Sequence, residues 1–134
     1  MSLLPFHAFG MGLAFLSMLS AIVIARYFKS KKWWLKAHKT LNTIAVLSAI
    51  LGFIAGFIMV QSTGGPHIRV QHAAIGIVTL SLLIAMPFLG RAIFATKDKK
   101  KIATLKKTHR ILGRVTALMV TFTITAGLLV AGIL

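Results

Sequence analysis

Read for polarity alone, the chain alternates between long apolar runs and short basic ones. Residues 1–25, 40–68, 70–90 and 115–134 contain no Lys, Arg, Asp or Glu. Each run is about as long as the ~20 residues a helix needs to cross hydrocarbon. An all-α membrane protein is therefore expected, a single domain over residues 1–134 built as an up-down bundle of four transmembrane helices. Gly64, Gly65 and Pro66 signal a turn between the second and third spans. The proline stands at a helix start, where its missing N–H does no harm. Pro87 is expected to kink the third helix. The first span reads as a retained helix instead of a secretory signal, since Arg26 and Lys29 follow the apolar run and nothing basic precedes it. Gly52 and Gly56 form a small-x-x-x-small pair that lets another helix approach.

Composition agrees with this reading: 57% of residues are hydrophobic and 13% charged, more apolar surface than a small soluble domain can hide. Cysteine is absent, which excludes disulfide frameworks, thiolate nucleophiles, Cys-ligated zinc and iron–sulfur clusters. The net charge of +15 would suggest nucleic acid if it were spread over a soluble surface, but fifteen of the sixteen basic residues lie in segments 26–39 and 91–114. Those segments are the first-to-second and third-to-fourth connections, which share one membrane face. The positive-inside rule makes that face cytoplasmic and puts both termini and the loop at 61–69 outside. Trp33 and Trp34 stand where amphipathic rings meet lipid headgroups. The charge is a topology signal, and nucleic acid is not an expected partner.

An ionisable residue within a span is by default a functional residue, and here there are four. His7 and His72 begin the two helices that enter from outside; His38 and His109 begin the two that enter from the cytoplasm. In an up-down bundle the first and third helices are diagonal, as are the second and fourth. Each pair of histidines can then face across the interior, at one of two levels about 20 Å apart. Two imidazoles from opposite sides form the axial ligation of a six-coordinate haem. Gly76 and Gly113 follow His72 and His109 by one turn and would leave room for a porphyrin face; Met11 and Asn42 take the equivalent places after His7 and His38. Met11 reads as core packing. Zinc or copper would need three or four converging ligands, whereas these histidines divide two and two. The chain's one acid, Asp98, lies among lysines, so carboxylate proton relays, glycoside hydrolysis and magnesium-dependent phosphoryl transfer are excluded. Electron transfer remains, with chemistry supplied by a cofactor.

His7 with Met11, Ala25-Arg-Tyr-Phe-Lys29, Trp34-x-x-x-His38-Lys39-x-Leu41-Asn42, His72-x-x-x-Gly76 and His109-x-x-x-Gly113 follow one another along the chain. In that order they resemble the eukaryotic-type cytochrome b561 and ferric reductase transmembrane family, over nearly the whole sequence. The family's usual six helices are here four. The resemblance implies two b haems per chain, one on His7 and His72 and one on His38 and His109. It also implies electron flow from a cytoplasmic donor such as ascorbate to an outer acceptor such as ferric iron or monodehydroascorbate, a ferric reductase-like oxidoreductase activity.

Lys39 and Arg110 are expected to meet haem propionates, and Lys36, Lys106, Lys107 and Arg114 to draw in an anionic donor. His67 and Arg69 are expected beside the acceptor. The partners under this reading are the bilayer and small-molecule donor and acceptor; a homodimer is compatible with it. A competing reading is a haem-bearing membrane anchor subunit that links a soluble dehydrogenase to quinone. A third is a structural membrane protein whose histidines bind nothing.

Overall fold

A computed structural model describes residues 3–64 and 71–134. His67 and Arg69 lie outside the described residues. Four helices follow in order: α1 (Leu4–Tyr27), α2 (Trp34–Thr63), α3 (Gln71–Ala95) and α4 (Lys99–Val130). Every one is long and apolar enough to cross a membrane, and no strand occurs among the described residues. The four apolar runs are thus the four helices, and the chain is a multi-pass integral membrane protein. The α1–α2 and α3–α4 connections share what we call the basic end; the opposite end holds the start of α1 and α3 and the close of α2 and α4.

The helix ends follow from local chemistry. α2 stops at Gly64, whose φ of 67° is left-handed and suits a residue without Cβ. α4 starts at Asp98, whose carboxylate accepts from the backbone N–H of Lys100 at 2.8 Å and Lys101 at 3.3 Å. An acid at this position satisfies free donors and the positive end of the helix dipole. The single carboxylate of the chain is therefore used as a helix cap. Pro87 is accommodated inside α3.

Packing divides the bundle into two hairpins. α1 runs closely along α2, and α3 along α4; the hairpins touch more sparingly through α2–α3 and α1–α4, and neither diagonal pair is in backbone contact. Small residues explain the closeness of α1 and α2: Ala14, Ser17 and Ala21 are buried on one helix and Ala45, Ser48, Ala49 and Gly52 on the other, with Met18 the one long side chain among them. A Cβ on Gly10 would lie 2.9 Å from the Gly52 Cα, so the backbones all but touch, as membrane helices do when small residues meet. The α3–α4 seam carries the larger Thr79, Leu83, Met86, Thr116, Val120 and Thr123. There the hydroxyls of Thr79 and Thr123 lie 2.8 Å apart, with the carbonyls of Ile75 and Met119 also in reach.

The outside of the bundle is apolar. Phe6, Phe9, Phe88 and Phe122 are 63–73% exposed, a surface that lipid solvates and water would not. The core is a slab of Ala14, Met18, Ala45, Ala49, Leu83 and Val120. On each helix these residues fall between the histidine and a point four turns further on, so apolar side chains separate the two ends of the bundle.

Candidate functional site

The four histidines come together in two pairs. The ring centroids of His7 and His72 are 5.9 Å apart with planes at 87°, and those of His38 and His109 are 6.3 Å apart with planes at 70°. The partners come from diagonal helices, α1 with α3 and α2 with α4. Each pair reaches across the seam between the hairpins, where the backbone packing is loosest.

Backbone carbonyls fix the direction of three rings. His7 Nδ1 donates to the Gly52 carbonyl at 2.8 Å, His38 Nδ1 to the Ala21 carbonyl at 2.9 Å and His72 Nδ1 to the Thr123 carbonyl at 2.9 Å. A carbonyl oxygen only accepts, so Nδ1 must carry the proton. A neutral imidazole then keeps its lone pair on Nε2, the tautomer that ligates a metal while the other nitrogen is anchored. In all three cases the acceptor lies on the helix adjacent in sequence, so each hairpin orients its own rings.

The placement is regular. His7 and the acceptor Ala21 are both on α1, His38 and Gly52 on α2, His109 and Thr123 on α4; in each case the acceptor is fourteen residues after the histidine of its own helix. Fourteen residues are about four turns and ~21 Å of helix, so both groups share one face and the two levels are separated by that length. This agrees with the spacing expected from sequence.

Glycines make space for the rings. A Cβ on Gly56 would lie 2.7 Å from His7 Nδ1, and one on Gly127 2.8 Å from His72 Cε1. Gly56, expected to serve helix packing, thus has the particular task of admitting His7. Gly76 and Gly113 lie one turn after His72 and His109, beside the neighbouring helix. A Cβ on Gly76 would meet Thr123 at 3.7 Å and one on Gly113 the Met86 methyl at 3.4 Å, so these glycines face side chains of the neighbouring helix. Met11 lies against Gly52, in keeping with a packing role. Asn42 donates to its own helix at the His38 carbonyl, 2.7 Å.

The remaining candidates lie at the basic end. Lys36, Lys39, Lys106, Lys107, Arg110 and Arg114 are all exposed. The Lys39 ammonium sits 4.6 Å from the Phe94 ring centroid and joins α2 to α3, and Arg110 Nε donates to the Lys106 carbonyl at 3.3 Å. The six charges therefore rim the His38–His109 pair without entering the apolar interior.

The geometry suits a planar metal cofactor held from both faces. Two metal–nitrogen bonds of about 2 Å in line, with about 1 Å from each nitrogen to its ring centre, put imidazole centroids about 6 Å apart. Both pairs meet that distance. No group of three or more His, Cys, Asp or Glu converges among the described residues; the four histidines stand two and two, a donor set that fits a haem between paired imidazoles better than the three or four converging ligands of zinc.

A four-helix membrane bundle with imidazoles paired across its interior has the design of a membrane cytochrome. The chain belongs to the eukaryotic cytochrome b561 family, whose pattern it matches over residues 6–133. Membership carries haem b and haem-dependent electron transfer across a membrane. No curated protein matches the chain, and no solved structure does.

Proposed function

We propose that the chain is a di-haem cytochrome that carries electrons from a cytoplasmic reductant of the ascorbate type to an acceptor outside, ferric iron or monodehydroascorbate. The observation that carries this reading is the presence of two imidazole pairs, each at ligation distance, one toward either end of the same apolar bundle. Haem b supplies a one-electron couple when bound.

The chain's own residues supply the rest. His7 and His72 hold one level, His38 and His109 the other, and the Nδ1 bonds of His7, His38 and His72 leave Nε2 of those rings as the ligating nitrogen. The apolar slab between the levels excludes water and ions, so charge crosses without solute crossing. With the basic end in the cytoplasm, Lys36, Lys106, Lys107 and Arg114 attract an anionic donor, while Lys39 and Arg110 reach the propionates. His67 and Arg69 serve the acceptor at the opposite end.

Haem extracted from purified protein should amount to two per chain. His7→Ala and His72→Ala should remove one component of the reduced-minus-oxidised spectrum, and His38→Ala and His109→Ala the other. One haem per wild-type chain, or the same component lost from all four variants, refutes the pairing. Vesicles loaded with ascorbate should reduce an external ferric chelate only when the basic end faces the ascorbate.

A further inference from the structure

The fourteen-residue rule has one exception. On α3 the residue fourteen after His72 is Met86, so the Met86 carbonyl is the acceptor the pattern assigns to His109. Yet His109 Nδ1 is buried and has no hydrogen-bond partner. The ring also stands back from α3. Gly90, four residues after Met86, corresponds to Gly56 and Gly127, which follow Gly52 and Thr123 by four. A Cβ on Gly90 would lie 3.9 Å from His109 Nδ1 and 3.5 Å from Cε1, against 2.7 Å from His7 Nδ1 at Gly56 and 3.1 Å from His72 Nδ1 at Gly127.

What distinguishes α3 at this point is the residue after the acceptor. Ile22, Phe53 and Ile124 follow Ala21, Gly52 and Thr123; Pro87 follows Met86. A proline inside a helix has no N–H to give the carbonyl four residues back, here that of Leu83, and its ring crowds that carbonyl. α3 thus lacks one helix hydrogen bond, at the Leu83 carbonyl, within the turn on which His109 would dock.

We propose that Pro87 is a positioning residue that withholds the Met86 carbonyl from His109, so that the two ends of the bundle present unequal ligand pairs. His7, His72 and His38 are anchored; His109 is not. This rests on the reading of the four histidines as haem ligands. An imidazole whose N–H is bonded to a carbonyl is fixed in plane and more basic toward the metal. Unanchored, His109 donates less charge, which disfavours the oxidised iron and makes the basic-end haem easier to reduce than an anchored pair would.

The test is a redox titration of Pro87→Ala, followed by optical and electron paramagnetic resonance spectra, with the two components assigned through the single-histidine variants. Alanine is the best helix former and returns the missing donor to α3. The reduction equilibrium of the basic-end component should shift about tenfold toward the oxidised form, ~59 mV for one electron, while the other component stays put. Gly90→Ala supplies a second arm. In the wild-type background its Cβ makes an ordinary contact and both components should survive, whereas Gly127→Ala should displace its ring. In the Pro87→Ala background His109 is drawn in, and Gly90→Ala should then weaken the basic-end component. The proposal is overturned if Pro87→Ala moves neither component or moves both alike. It is equally overturned if Gly90→Ala alone harms its level as much as Gly127→Ala harms the other. A wild-type protein with a single spectral component would refute the ligand reading itself, and is told apart from either result.

Discussion

At His72 the position of the ring is decided by an atom that Gly127 lacks. The would-be Cβ lies 2.8 Å from Cε1, closer than nonbonded carbons tolerate, and the ring cannot retreat without losing its bond to the Thr123 carbonyl. Gly56 stands in the same relation to His7. Gly56→Ala and Gly127→Ala are therefore expected to lower haem affinity at the His7–His72 level by about 10–100-fold, the usual effect of disturbing groups that orient a metal ligand. The basic-end component should be retained, as difference spectra of protein titrated with haemin would establish. The histidines themselves were legible in the sequence, because ionisable residues in an apolar run stand out one by one. Gly90 and Gly127 were not. Each answers to a histidine on a neighbouring helix, and the offset between helices is absent from a one-dimensional pattern. Their signal was spacing within their own helix, eighteen residues after His72 and His109, which is five turns and hence the same face. That spacing has meaning only once the acceptor carbonyls are known. Gly76 and Gly113, one turn from the histidines, stand out more readily in the sequence and lie beside side chains of the adjoining helix.

The elements were the easiest part to foresee, since charge-free runs of more than twenty residues leave little choice of structure in a bilayer. Their pairing was less accessible. The up-down order predicts which helices are diagonal, but not that α1 and α2 lie much closer than α3 and α4. That difference comes from the side chains at the seam: Gly10 against Gly52 on one side, Thr79 against Thr123 on the other. A Cβ on Gly10 would meet the Gly52 Cα at 2.9 Å and the Ser48 carbonyl oxygen at 3.0 Å. Both are backbone atoms of a helix and neither can swing aside. Gly10→Ala must then move α1 as a body away from α2, carrying His7 from its acceptor. The expected outcome is loss of the His7–His72 component together with a lower thermal midpoint of the haem absorbance. Gly12→Ala, whose Cβ would meet nothing within 4 Å, should leave both unchanged.

Over the whole molecule the dominant feature is the division of charge. Sixteen basic residues stand against one acid, and that acid is occupied at the start of α4, where it accepts from Lys100 and Lys101. The basic end consequently has no internal counter-charge beyond a helix cap, and its field reaches into the solvent. Lys106 and Lys107 are exposed on α4 within the turn before His109, while Lys39 is drawn over Phe94. The first two are thus freer than Lys39 to meet a donor arriving from bulk water. Such a surface raises the local concentration of an anion and speeds its encounter. Salt shortens the range of the field to about 8 Å at physiological ionic strength, so encounter driven by charge must slow as salt is added. Reduction by ascorbate in stopped flow should fall steeply between low and high salt for the wild-type protein. The double variant Lys106→Glu, Lys107→Glu should start slower and depend less on salt, with both haem components and their midpoints in place. A neutral reductant of similar potential should be indifferent to both changes. If ascorbate is equally indifferent, the basic residues act on topology alone; Lys→Glu at these two positions should then show its effect in the orientation of the protein in vesicles and nowhere in its kinetics.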